Sequence, residues 1–113
     1  MGFFDNLKKK MELKETTVPK KTKNTLEKIN ILEKTLEKTP PSFNLLFKLY
    51  GYYIDVSNTS KKIECLEKMV KLNPHDAYPL EQLARVFDVE LHDTSKAKYY
   101  QQQANKINSN KFM

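Results

Sequence analysis

Two histidines, one cysteine and two glycines are the side chains from which a catalytic or metal site would have to be built in this 113-residue sequence. His75 and His92 are each followed by an aspartate, Asp76 and Asp93. A His-Asp pair can orient an imidazole as a general base or contribute to a metal shell. The shell would need further ligands, and the sequence places none beside either pair. Both pairs also stand at the start of a helical pattern, where an aspartate caps exposed backbone N–H groups. Capping is the simpler account. Cys65 is alone, so neither an internal disulfide nor a cysteine-based metal cluster can form. It lies between positions that face inward on a helix, with no base next to it, and reads as a partly buried, unreactive thiol. Gly2 and Gly51 are too few and too far apart for a phosphate-cradling loop, and Gly51 reads as a point of close helix packing. Glu33 and Glu37 decorate a solvated helix face. No enzyme activity and no cofactor are expected.

What the sequence does contain is a period. Leu32-Glu33-Lys34 recurs as Leu66-Glu67-Lys68, and Pro40 recurs as Pro74, each 34 residues on. Ile29, Ile63 and Ala97 share that step, as do Leu32, Leu66 and Tyr100, and Leu36, Val70 and Ala104. A repeat of this length is the mark of stacked helix–turn–helix units. Apolar residues at helical spacing predict helices over 25–38, 42–56, 60–72, 77–90 and 95–107. Thr39-Pro40-Pro41, Ser57-Asn58-Thr59-Ser60, Asn73-Pro74-His75-Asp76 and His92-Asp93-Thr94-Ser95 supply the turns and caps between them. Helix 42–56 is apolar round more than half its circumference, as befits a helix between two neighbours. The last helix carries Gln101, Gln102, Gln103 and Asn105 on one face, as a solubilising end of the array should.

The charge is uneven. The formal net charge is +6, and residues 1–23 hold seven lysines against Asp5, Glu12 and Glu15. Most of the basic excess therefore belongs to the N-terminal arm, and bulk attraction of nucleic acid to the remainder is the weaker expectation. Residues 1–13 read as an amphipathic helix. Phe3, Phe4, Leu7 and Met11 share one side, while Lys8, Lys9 and Lys10 lie mostly on the other. That pattern suits a helix lying in a membrane interface, packing on the rest of the chain, or docking on a partner. Residues 14–24, with Pro19 and three lysines, read as a basic linker. No apolar run has the length of a membrane span, and no secretory signal is evident. The expected location is cytoplasmic, peripheral to the inner face of the membrane if residues 1–13 engage it.

Leu83-Ala84-Arg85-Val86-Phe87 is similar to the first-helix core of tetratricopeptide repeats. Ala97 and Ala104, seven apart, match the small residues of that family's second helix, and Asn73-Pro74 resembles the junction between its units. The resemblance covers residues 25–108, as a leading helix and two helix pairs, with 109–113 left as a tail. Tyr50 departs from it, standing where the family has a small residue. The turn between Phe87 and Ala97 is one residue longer than the family's pattern. The resemblance implies an all-α fold of antiparallel helix pairs stacked as a short right-handed solenoid. It implies a non-enzymatic adaptor whose first helices line a concave face for a partner peptide or helix. Asn44, Phe47, Lys48, Gly51, Tyr78, Gln82 and Arg85 are the expected contact residues. Lys48 and Arg85 suit an acidic or carboxylate-bearing ligand. Two pairs fall short of the three units such arrays need, so self-association into a homo-oligomer is the competing expectation.

Overall fold

The boundaries of the helices follow from local caps. The computed structural model describes the backbone of residues 20–110 and the side chains of 24–110. The amphipathic residues Phe3, Phe4, Leu7, Lys8, Lys9, Lys10 and Met11 lie outside the described residues. Five α-helices follow in order: α1 Lys20–Lys38, α2 Phe43–Asp55, α3 Thr59–Leu72, α4 Ala77–Arg85 and α5 Thr94–Asn110. A π-helical turn, Val86–Glu90, extends α4. Every regular element among the described residues is helical. Ser42, Asn58, Asp76 and Asp93 accept backbone N–H groups of Leu45, Lys61, Tyr78 and Lys96 at the starts of α2, α3, α4 and α5. The two aspartates after His75 and His92 are therefore capping residues. Two boundaries differ from expectation. Helix α1 begins five residues before Thr25, since lysine is a good helix former and nothing after Pro19 interrupts the turn. Helix α5 runs on to Asn110 through the first residues of the expected tail.

Each helix packs on the next in the chain: α1 on α2, α2 on α3, α3 on α4, and α4 on α5. Among the described residues, helices two apart bring no Cα atoms within 8 Å of one another. The helices thus form an open row and do not close around one centre. Leu46, Leu49, Tyr50 and Tyr53 of α2 are buried between α1 and α3, and Leu66 and Met69 of α3 are fully buried behind them. Leu83, Val86 and Phe87 continue the same core into the π turn, with Ala97 of α5. Ala77, Leu80 and Ala104 close a smaller cluster between α4 and α5. Each such aliphatic or aromatic side chain removed from water contributes about 1.5–3 kcal/mol before entropy is counted.

The π turn has an identifiable cause. Helices α2 and α4 begin 34 residues apart, at Phe43 and Ala77, whereas α3 and α5 begin 35 apart, at Thr59 and Thr94. One extra residue must fit between α4 and α5. After α2, the N–H of Asn58 donates to the carbonyl of Tyr53 with Ser57 in the left-handed region at φ 56°. After α4, the N–H of Asp93 donates to the carbonyl of Phe87, one residue further along, with His92 left-handed at φ 52°. The N–H of Leu91 donates to Val86, five residues back, and the widened turn takes up the insertion. The constant step expected from the sequence is corrected accordingly. Ala97 is the structural counterpart of Lys62, each 8% exposed, and not of Ile63. Ala104 likewise corresponds to Met69, both at 0%.

Lys62 is buried because its stem lies along α3 while its ammonium reaches the π turn. Nζ donates to Glu90 Oε2 at 2.6 Å, and Thr59 Oγ1 donates to Oε1 of the same carboxylate at 2.7 Å. These bonds to Lys62, then to Thr59, hold the Glu90 carboxyl below its ordinary value. A depressed carboxyl contributes stability that is present above its unfolded pKa and lost as pH falls through the folded one. Glu90→Gln is expected to cost roughly 1–2 kcal/mol at pH 7. In urea titrations followed by circular dichroism, the difference from the parent should vanish below the ordinary carboxylate range.

Gly51 is the second correction. A Cβ built on it would meet nothing within 4 Å, so it marks no close approach of helices. Its residue is exposed, and it sits mid-helix without a positive φ. Glycine there costs α2 backbone entropy with no packing return. Gly51→Ala is expected to stabilise the chain by about 0.5–1 kcal/mol, read as a shift of the urea midpoint at unchanged slope.

Candidate functional site

Helix α2 presents two opposite faces, and the array exposes each differently. At 100° per residue, Asn44, Phe47, Lys48 and Gly51 centre on one side, and Leu46, Leu49 and Tyr53 on the other. On the first side all four residues are exposed, Phe47 by 48%. Tyr78 and Gln82 from α4 are half-buried beside them, and Arg85 is exposed. The structure brings part of this set together. The Phe47 and Tyr78 rings meet at a centroid distance of 5.6 Å, tilted by 40°. Tyr50 donates its hydroxyl to Gln82 Oε1 at 3.1 Å. These two contacts cross between α2 and α4, whose backbones stay apart, so side chains alone bridge them. Among the described residues Asn44, Lys48 and Gly51 make no such contact, and Arg85 acts on the Tyr50 phenol through its charge. Neither Lys48 nor Arg85 has a carboxylate partner among the described residues.

Tyr50 belongs to this site although its ring lies in the core. Its ring is 4% exposed while its hydroxyl emerges beside Gln82. Burial, then the neighbouring Tyr78 and Glu90, push the phenol up to about 12, so it stays a neutral donor. Tyr52 is half-buried against α1 with the Lys28 ammonium 5.8 Å from its ring centre. Arg85 also borders a second depression of about 390 Å³ beside Asp88, Thr94 and Lys98.

The larger cavity lies on the other side of α2. A groove of about 490 Å³ runs between α1 and α3. Leu46, Leu49 and Tyr53 are its floor, Glu33, Leu36 and Glu37 one wall, and the α3 stripe from Lys61 to Leu72 the other. Tyr53 donates its hydroxyl to Glu33 Oε1 at 3.0 Å, and burial followed by that bond raises the phenol. The concave reading of the sequence does not anticipate this groove. Its only local signal is Leu72, apolar yet 42% exposed. Cys65 borders the groove at 4% exposure. Burial pushes its thiol up to about 11, against a smaller opposing effect of Lys68.

Among the described residues no three His, Cys, Asp or Glu side chains converge in a way that could hold a metal ion. None of the described helices is long and apolar enough to cross a membrane. No protein-family model matches the chain, and no curated protein matches it.

The Cys65 thiol has one measurable consequence. At pH 8 only a small part of a group with a pKa near 11 is thiolate. Its reaction with an aromatic disulfide reagent should be at least tenfold slower in the native chain than in urea. Equal rates would place the thiol in solvent.

Proposed function

We propose that this chain is a non-enzymatic interaction module. In this reading it is a short, tetratricopeptide-like right-handed solenoid that holds a peptide or helix of a partner protein across the α2–α4 face. The observation that carries it is the Phe47–Tyr78 pair. Phe47 and Tyr78 stand partly in water where the backbones of α2 and α4 are apart, on the same face as Lys48 and Arg85, which have no carboxylate partner among the described residues. Exposed aromatics beside guanidinium and ammonium groups are the usual anchors of protein interfaces. Lys48 and Arg85 select an acidic segment or a chain-terminal carboxylate, because a planar guanidinium and a mobile ammonium are complementary to that charge. Tyr50 and Gln82 form a polar rung beneath the rings and fix the spacing of the two helices.

A homo-oligomer is the second reading. Ile31 on α1 and Val89 on the π turn are 63% and 62% exposed, near opposite ends of the row, where copies would stack. Capture of nucleic acid by the N-terminal lysines is weaker, since residues 24–110 hold twelve lysines and arginines against eleven aspartates and glutamates. A membrane tether through Phe3, Phe4, Leu7 and Met11 would add a location to either reading.

An acidic decapeptide with a free C-terminus, labelled at its other end, is the test probe. Fluorescence anisotropy should show saturable binding that the Lys48→Glu, Arg85→Glu double variant abolishes. Binding that survives this reversal would remove the α2–α4 face as the site.

A further inference from the structure

In a row of stacked hairpins, each hairpin has an equivalent seat for whatever packs on it next. On the first hairpin, α2 and α3, the seat is filled by α4 and the π turn. Tyr50 donates to Gln82, and Lys62 and Thr59 donate to Glu90. A step of 34 residues from α2 to α4, and of 35 from α3 to α5, finds the same seat on the second hairpin. Ala84 stands for Tyr50, Ala97 for Lys62 and Thr94 for Thr59. These three line the depression of about 390 Å³ between α4 and α5, and no described helix packs there as α4 does on the first hairpin. We propose that this depression seats an acidic amphipathic helix of a partner protein. Of its lining residues only Arg85 also belongs to the α2–α4 face, so the inference stands apart from the peptide-binding reading.

The filled seat shows what such a surface takes. Its occupant, residues 76–91, is helical and carries Asp76, Glu81, Asp88 and Glu90 against Arg85. Its Leu80, Leu83, Val86 and Phe87 are buried, while its Glu90 carboxylate meets an ammonium and a threonine hydroxyl. The open seat keeps the threonine and adds positive charge. Arg85 stands where the first hairpin has Gly51, and Lys98 where it has Ile63. Both are exposed, and neither has a carboxylate partner among the described residues. Asp88 also lines the depression, so the seat holds two cations and one anion. Tyr50 and Lys62 reach out to their occupant, whereas Ala84 and Ala97 stop at Cβ. An arriving helix must therefore fill the hollow with its own side chains. Val89 on the rim is 62% exposed and gives that helix apolar surface to cover.

Charge selects a partner protein over a second copy. A copy stacked end to end would present α1, which carries six lysines against three glutamates. That balance has the same sign as the seat, and like charges brought together oppose docking. A helix with carboxylates beside its apolar stripe meets Arg85, Lys98 and the Thr94 hydroxyl instead.

The test uses the full-length chain. The probe is a fluorescently labelled, amidated peptide of residues 76–91, because that segment fills the equivalent seat. Its anisotropy should rise saturably with the chain. Lys98→Glu and Val89→Glu should each weaken binding about tenfold. Both side chains are exposed, so circular dichroism of the two variants should match the parent. Lys48→Glu, on the α2–α4 face, should leave the affinity unchanged. No saturable binding, or undiminished binding to Lys98→Glu, would overturn the proposal. Loss with Lys48→Glu would overturn it by placing the peptide on the α2–α4 face. Equal binding of a scrambled peptide of the same composition would overturn it by reducing the contact to net charge. A dimer of the chain alone, seen in sedimentation velocity and dissolved by Val89→Glu, would overturn it and assign the seat to a second copy.

Discussion

Leu46, Leu49, Tyr50 and Tyr53 make one whole side of helix α2 that cannot be returned to water, while Asn44, Phe47, Lys48 and Gly51 leave the other side exposed. A single neighbour covers only part of such a helix, so α2 must be held from several sides. Helix α1 covers it on one flank and α3 on the next, while Phe47 and Tyr50 reach toward α4. The row of helices follows from this requirement. Each hairpin is too thin to bury both of its surfaces, and the next helix supplies the missing cover. The row also explains why the two sides of α2 differ. Helices two apart are separated by the width of the one between them, and what fills that space is whatever side chains the middle helix offers. On one side of α2 these are Phe47 and Gly51; on the other they are Leu46, Leu49 and Tyr53.

Much of the array was readable from short stretches. Ser42, Asn58, Asp76 and Asp93 act on backbone groups two or three residues away, so their roles do not depend on the rest of the fold. The inward stripe of α3 was equally local, since helical spacing alone picks out Leu66 and Met69. Lys62 could not be read in this way. A lysine at an inward position is tolerable only because Glu90 waits 28 residues later, on a turn whose geometry is not encoded at Lys62. Tyr50 failed for a similar reason. Its ring follows the apolar stripe, but the destination of its hydroxyl depends on Gln82, 32 residues away. Gly51 misled because a glycine inside a helix suggests contact, and only the positions of the neighbours reveal open space.

The candidate site was legible in composition more than in position. Aromatic and cationic residues on the first helix of each pair pointed to one side of α2, and the structure places Phe47 against Tyr78 there. The groove on the far side was hidden because its walls come from α1 and α3, which the whole of α2 separates in sequence. Its apolar floor is the same stripe that reads as ordinary core. Leu46 and Leu49 serve both purposes, closing the interior from beneath and lining the hollow from above.

The Lys62–Glu90 bond gives the row a preferred order of dismantling. Among the described residues the backbone of helix α5 approaches α4 and the π turn and no other helix, whereas the π turn is fastened to α3 by an ammonium and a hydroxyl on one carboxylate. A force applied at the C-terminal end would strip α5 away first and halt at Glu90, where the next increment must part a sheltered ionic clasp. The remaining helices would keep their arrangement up to that point, so the last hairpin is the detachable end of the molecule.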